Sequence, residues 1–209
     1  MLNVVTAIAT GVNGDGHREI LGIDVFTSED EAAWTAFLRE LVTRGLSGVK
    51  LVTSDVHTGL KAAIAAELHG CSWQRCRTHF MRNLLTKVPR SAQGLVGTLV
   101  RSISAQPTSK EVWAQHQRVV DELEARFPAT AKMLQEAAED VLAFTTFPQS
   151  AWRQVWSNNP QERLNREIRR RSDVVGIFPN RLTGRDRMWN SSTGHRLVGF
   201  VKSGPKITY

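Results

Sequence analysis

The stretch "GVKLVTSDVHTGLKAAIAAELHG", Gly48 to Gly70, decides how this chain folds. "GVKLVTSD" is a short apolar, β-branched strand ending on Asp55, and "HTGLKAAIAAELHG" is a helix closed by Gly70. A strand running straight into a helix belongs to an α/β layer structure. Side chains at the carboxyl edge of such a sheet meet ligands. Asp55 is therefore a candidate ligand-binding carboxylate, although, taken alone, a helix N-cap or a turn aspartate is the more ordinary role for an Asp in this place.

Upstream, "NVVTAIATGV" and "REILGIDVF" flank "NGDGH", whose Asn-Gly and Asp-Gly pairs suit a tight β-hairpin. "TSEDEAAWTAFLRELVTRGL" then predicts a helix with Ser28 as N-cap, Glu31 completing a capping box, and Trp34, Phe37, Leu38 and Leu41 on one face up to Gly45. Downstream, "SWQRCRTHF" predicts another strand leading into "MRNLLTKV". The order β-β-α-β-α-β-α points to a mixed sheet with helices on its faces. From Pro89 to about Phe147 the pattern turns helical throughout, broken at "QPT" and "FPA". These boundaries divide the chain into a core at 1–88, a helical insertion at 89–148, a return to the core at 149–180, and a tail at 181–209 that has no period and no assigned element.

The return segment contains "NNPQERLNREIRRR", Asn158 to Arg171. At 100° per residue, with Glu162 as zero, Asn165, Arg166 and Arg169 share its side, opposite Leu164 and Ile168. Glu167 sits between Arg163 and Arg171, its i−4 and i+4 neighbours, as an ion-paired surface residue would. Glu162 also has an arginine four residues on, so spacing alone leaves both glutamates open to the surface reading.

Composition is that of an ordinary globular protein, 41% hydrophobic and 22% charged, with no apolar run long enough to span a bilayer and no basic, signal-like start. The expected location is the cytoplasm, in association with the nucleoid. Cys71 and Cys76 read as free thiols. With His69 and His79 they do not match the paired spacings of common structural zinc sites. No phosphate-binding loop, dinucleotide fingerprint or serine-hydrolase elbow occurs, so no nucleotide cofactor is expected. The net charge of +7 is one-sided: residues 151–209 hold 12 Lys and Arg against 4 Asp and Glu. A basic segment of this kind suits a polyanion such as DNA.

Taken in order, "SDVHTGL", "CRTHF" followed by "RNLL", and "FPQSAWRQVWSNNPQERLNREIRRRSDVVGIFPN" closely resemble the mutator-type bacterial insertion-sequence transposases, from about Val4 to Asn180. The resemblance implies a ribonuclease H-like core whose Asp, Asp, Glu triad binds two Mg²⁺ (or Mn²⁺) ions. The second Asp matches Asp55, and the Glu matches Glu162 rather than Glu167. Cys76 and His79 match a supporting Cys-x2-His element. The insertion would help grip the transposon end, and Arg163, Arg166, Arg169, Arg170 and Arg171 would lie along the DNA backbone. Hard cations held by carboxylates suit in-line attack on a phosphodiester. Implied partners are DNA at transposon ends and target, and a second copy or an intact transposase.

The sequence also departs from the family. It opens inside what reads as the second strand, so the first catalytic Asp is not matched; Asp15 falls in the hairpin turn and Asp24 at the end of the next strand. A sheet without its first strand would expose open backbone edges beside the strand ending at Asp55. After Asn180 the resemblance stops, as a frameshift would produce. The expectation is a transposase segment, inactive by itself, with a non-catalytic DNA-binding or transposase-interacting remnant as the alternative.

Overall fold

The computed structural model describes residues 3–12, 17–157 and 198–208. It divides into two compact units, Met1–Trp73 with Asn158–Tyr209, and Gln74–Ser157.

The first unit is mixed α/β. Strands β1 (Asn3–Val12) and β2 (Arg18–Phe26) form the expected antiparallel hairpin, with Val5 opposite Phe26 and Val12 opposite Arg18. The register shifts between Ala9 and Thr10, where a bulge adds twist. Helix α1 (Glu31–Thr43) follows and buries Trp34, Phe37, Leu38 and Leu41, the predicted face. Its N-cap is Asp30, whose carboxylate accepts from the Ala33 amide at 2.8 Å, and this corrects the Ser28 assignment. Glu31 then falls in the first helical position instead of the third, so it cannot close a capping box. Phe26 meets Trp34 edge-on at 5.1 Å and Phe37 at 6.0 Å, which fixes α1 against the hairpin.

Strand β3 (Leu51–Ser54) is buried along its whole length, as a strand covered on both faces must be. Helix α2 (Thr58–Glu67) returns against α1, burying Leu60, Ala63 and Ile64. It is joined to α1 at the surface by the Arg39–Glu67 ion pair at 2.7 Å. Gly70, at φ +74, makes the turn into β4 (Ser72–Arg75).

The tail provides the main correction. Residues 198–208, read from sequence as irregular, form β5 (Val198–Thr208), and the sheet order is β2-β1-β5-β3-β4. β5 runs antiparallel to β1 from Val12 opposite Val198 to Asn3 opposite Thr208. It runs parallel to β3, with Leu51, Val52 and Thr53 opposite Val198, Gly199 and Phe200. The edge expected to stand open between β1 and β3 is thus filled. Gly204 and Pro205, poor residues for a central strand, fall where the β1 register shifts and beyond the last β3 pair. There the missing proline N–H removes no bond to β3.

The second unit is helical after β4. It comprises α3 (Arg77–Leu85), a 3₁₀ turn at Arg90–Ala92, α4 (Gln93–Ile103), α5 (Ser109–Glu124), α6 (Pro128–Glu136), α7 (Ala138–Leu142), a second 3₁₀ turn at Ala143–Thr146, and α8 (Gln149–Val155). The "QPT" break places Thr108 as cap of α5, in a capping box with Glu111, and the "FPA" break starts α6 with proline in its first turn. Val96, Val112, Leu123, Leu134 and Phe144 are core residues. The compact unit begins at Gln74 and ends at Ser157, wider than the 89–148 marked by the change in period. Among the described residues no helix is long and apolar enough to cross a membrane.

Candidate active site

In the first unit the residues of "SDVHTGL" take separate tasks. Ser54 is fully buried; its hydroxyl donates to the Asp55 backbone carbonyl at 2.8 Å and accepts from the Trp73 indole N–H at 2.8 Å. Lys61 lies over the Trp73 ring at 4.3 Å. His57 is the N-cap of α2, its Nδ1 accepting from the Leu60 amide at 3.2 Å, and its ring stands edge-on to Trp34 at 6.2 Å. Because Nδ1 accepts, the ring's proton is on Nε2 in the neutral form. Gly59 sits where the start of α1 passes. A Cβ there would lie 2.8 Å from the Glu31 backbone nitrogen. Leu60 is a core residue.

Capping and packing therefore account for Ser54, His57, Gly59 and Leu60. The N-cap role that competed for Asp55 belongs to His57. Asp55 itself is half-buried just past the carboxyl end of β3, in the loop before α2. This is the edge at which an α/β sheet presents ligands. Asp24 lies on β2, which β1 and β5 separate from β3, about 14 Å away at ordinary strand spacing. Its carboxylate accepts from the Val25 amide at 2.8 Å.

In the second unit, Cys76 and His79 come together at the start of α3, with Sγ and Nδ1 3.3 Å apart. Cys76 is fully buried and His79 half-buried. Both cysteines are free thiols, as expected. Burial pushes the Cys71 thiol up to about 11, against a hydrogen bond from the Val52 backbone that acts the other way. It stays protonated at neutral pH, and its S–H donates to the Ser72 carbonyl at 3.2 Å. Glu162, Glu167 and the arginines Arg163, Arg166, Arg169, Arg170 and Arg171 lie outside the described residues.

Two features escaped the sequence reading. Gln74, fully buried, donates to the Val141 carbonyl at 2.7 Å and to the Arg75 carbonyl at 2.8 Å, while its carbonyl accepts from the Phe144 amide at 2.8 Å. Arg77 stacks on Trp156 at 4.0 Å and donates its backbone N–H to the Trp156 carbonyl at 3.0 Å. Burial pulls its guanidinium down to about 10, with the Cys76 sulfur opposing, and it remains cationic at neutral pH. Both join residues 67 to 79 positions apart within one unit, a separation at which local sequence patterns carry no signal.

The geometry defines an α/β protein whose candidate chemistry rests on a carboxylate at the end of an interior strand. Comparison with known proteins gives the family. The model of the family described as "Transposase, Mutator family" matches residues 1–185, and the chain belongs to that family. It is 59% identical over 181 residues to the transposase for insertion sequence element IS1081 of Mycobacterium tuberculosis, covering 87% of this chain and 44% of that protein. It is 37% identical over 180 residues to the transposase for ISRM5 of Rhizobium meliloti, covering 86% and 45%. It is also 34% identical over 196 residues to the transposase for IS256 in transposon Tn4001 of Staphylococcus aureus, covering 93% and 47%. The chain spans less than half the length of these relatives.

Proposed function

We propose that this chain is a catalytic-core segment of a DNA transposase, in which Asp55 and Glu162 hold divalent metal ions, Mg²⁺ or Mn²⁺, at a DNA phosphodiester. One observation carries the reading. Within "SDVHTGL" the capping and packing tasks fall to Ser54, His57, Gly59 and Leu60, and Asp55 stands at the ligand-facing edge of β3. Carboxylate oxygens are hard donors and fit a hard cation, so the residue type suits the metal. When bound, such ions activate a nucleophilic oxygen and stabilise the leaving one. The hairpin β1–β2 and a strand parallel to β3 beside it support a ribonuclease H-like sheet for this segment. The arginines at 163, 166 and 169–171 would neutralise phosphates along the strand.

A second reading, DNA binding without catalysis, is favoured by the strand beside β3. Residues 198–208 carry Lys202 and Lys206 and no carboxylate, so β5 brings no further metal ligand next to Asp55. On this reading the segment alone transfers no strand, and acts on DNA with a second copy or with a longer transposase.

The test is Mg²⁺-dependent cleavage of transposon-end DNA by a protein in which an Asp-bearing strand is restored, together with Mn²⁺ binding measured without DNA. Asp55→Asn and Glu162→Gln should each reduce cleavage to background and weaken Mn²⁺ binding, whereas Glu167→Gln should change neither. Cleavage that persists in Asp55→Asn refutes the assignment.

A further inference from the structure

The motif "FPQSAWRQVWSNNP" is only partly used by the proposed site, and its described part builds α8 on the wall of an open groove of about 520 Å³ in the helical unit. The groove lies between α8 and the loop that leaves α4. Trp152, Trp156, Arg153, Gln106, Gln149 and Ser150 line it, and none of the described residues lining it is acidic. Its aromatic parts are held in place. Trp152 donates from Nε1 to the Phe147 carbonyl at 2.8 Å, and Trp156 is stacked by Arg77 and set edge-on to Phe144 at 5.5 Å. The Gln106 amide is steadied by a bond from Nε2 to the Ser102 carbonyl at 3.1 Å, which leaves its carbonyl oxygen available as an acceptor. Arg153 is exposed at the rim.

A polar stripe with one arginine runs along α4 toward this groove. Between Glu67 and Glu111 the chain carries seven Lys and Arg and no carboxylate. On α4, Gly94, Thr98 and Arg101 are all exposed at helical spacing, and Ala105, four residues on, lines the groove. Arg101 donates to the Thr98 hydroxyl at 3.3 Å, and that hydroxyl donates to the Gly94 carbonyl at 2.9 Å, so the stripe is a connected polar surface. A Cβ on Gly94 would meet nothing within 4 Å, so this backbone lies open to a partner.

We propose that the groove between α8 and the Ser104–Gln106 loop binds an unpaired nucleotide of DNA, with the base against the tryptophan side and the phosphate at Arg153. The half-buried Trp156 ring offers stacking to a base, amide side chains read base edges, and Arg153, with no carboxylate among the described residues lining the groove, attracts the backbone. The α4 stripe carries the adjoining phosphates. The proposal rests on the reading of the chain as DNA-acting, and it deepens that reading by separating a nucleotide-holding groove from the Asp55 site.

The experiment measures affinity of the full chain, without divalent metal, for a blunt labelled duplex and for the same duplex with a short unpaired end. The unpaired end should bind roughly tenfold tighter, as stacking of one or two bases provides. Arg153→Ala and, separately, Ala105→Trp, which fills the groove from an exposed position, should remove that preference with the helical circular dichroism unchanged, and Ala105→Trp should leave blunt-duplex affinity within about twofold. Free mononucleotide should compete weakly with the unpaired end. Equal affinity for the two duplexes, a preference that survives both substitutions, or no DNA binding at all overturns the proposal. Cleavage plays no part in the measurement, so failure at Asp55 leaves the groove standing, and failure here leaves Asp55 standing.

Discussion

Replacing Gly59 with alanine tests the physical account of "SDVHTGL" at its tightest point. Both Gly59 and Gly94 are the second residue of a helix, α2 and α4. In each, alanine should favour the helix over the unfolded chain by about 0.5–1 kcal/mol, because glycine loses more backbone freedom on folding. Their surroundings differ. At Gly94 the added Cβ enters open space, whereas at Gly59 it lies 2.8 Å from the Glu31 nitrogen, 3.0 Å from the Glu31 Cα and 3.2 Å from the Asp30 carbonyl carbon. All three are backbone atoms, and the Asp30 cap and the buried Trp34 hold that turn in place. Relief requires a shift of several tenths of an ångström between two helices, a strain of about 1–3 kcal/mol. Net of the helix gain, Gly59→Ala should destabilise by up to about 2.5 kcal/mol, or up to about 10 °C in Tm for a chain of this size. Gly94→Ala should raise stability by up to about 1 kcal/mol. Because two compact units can unfold separately, hydrogen exchange of α2 and α4 amides is the assay that assigns each change to its unit. If Gly59→Ala stabilises α2 as Gly94→Ala stabilises α4, the close passage of α1 over α2 is wrong.

Two further outcomes follow from the helical unit. Burial holds the His116 imidazole below its usual 6.5, against a hydrogen bond from Nε2 to the Leu134 carbonyl at 3.1 Å. The unfolded chain therefore takes up a proton before the folded one does. The contribution of neutral His116 is complete above about pH 6.5 and declines as pH falls from there toward the depressed folded value. Urea midpoints of this unit should fall as the pH drops below about 6.5, less so in His116→Gln; a pH-independent midpoint refutes the buried neutral ring. Gln74→Leu removes the partners of the Val141 carbonyl and the Phe144 amide, each costing about 1–3 kcal/mol when left unpaired. Its melting point should drop more than that of any exposed Gln substitution in the unit, such as Gln117→Leu.

Much of the fold was legible because its determinants are local. The hairpin is written in Asn-Gly and Asp-Gly, and the buried face of α1 in the spacing of Trp34, Phe37, Leu38 and Leu41. The site was legible only as a pair of alternatives. An Asp before a helix is as good a cap as a ligand, and nothing local says that a histidine two residues later takes the cap instead. Seeing His57 Nδ1 on the Leu60 amide removes one alternative, which spacing could not do. The compact helical unit starts ahead of the change of period for a similar reason. Gln74 lies in a strand, and its bonds to Val141 and Phe144 tie that strand to the far end of the unit, whereas a change of period marks only where the helical pattern begins.

The tail shows most clearly what pattern reading leaves out. Val198 to Thr208 holds two glycines, a proline and two lysines, and neither its period nor its propensity indicates a strand. Strand propensity, however, mostly measures fit to neighbours. Here β1 offers an unpaired edge on one side and β3 on the other, and each buried backbone group without a partner would cost about 1–3 kcal/mol. A segment of modest propensity becomes a strand where two edges would otherwise stand open. The same logic limits what β5 can do for function. It closes the sheet, with Val198 to Phe200 beside Leu51 to Thr53, but any strand could supply backbone bonds of this kind. On the proposed reading, a further metal ligand from the strand beside β3 would be a carboxylate, and residues 198–208 carry none. Closing the sheet and supplying such a ligand are separate demands on one slot, and β5 meets the first.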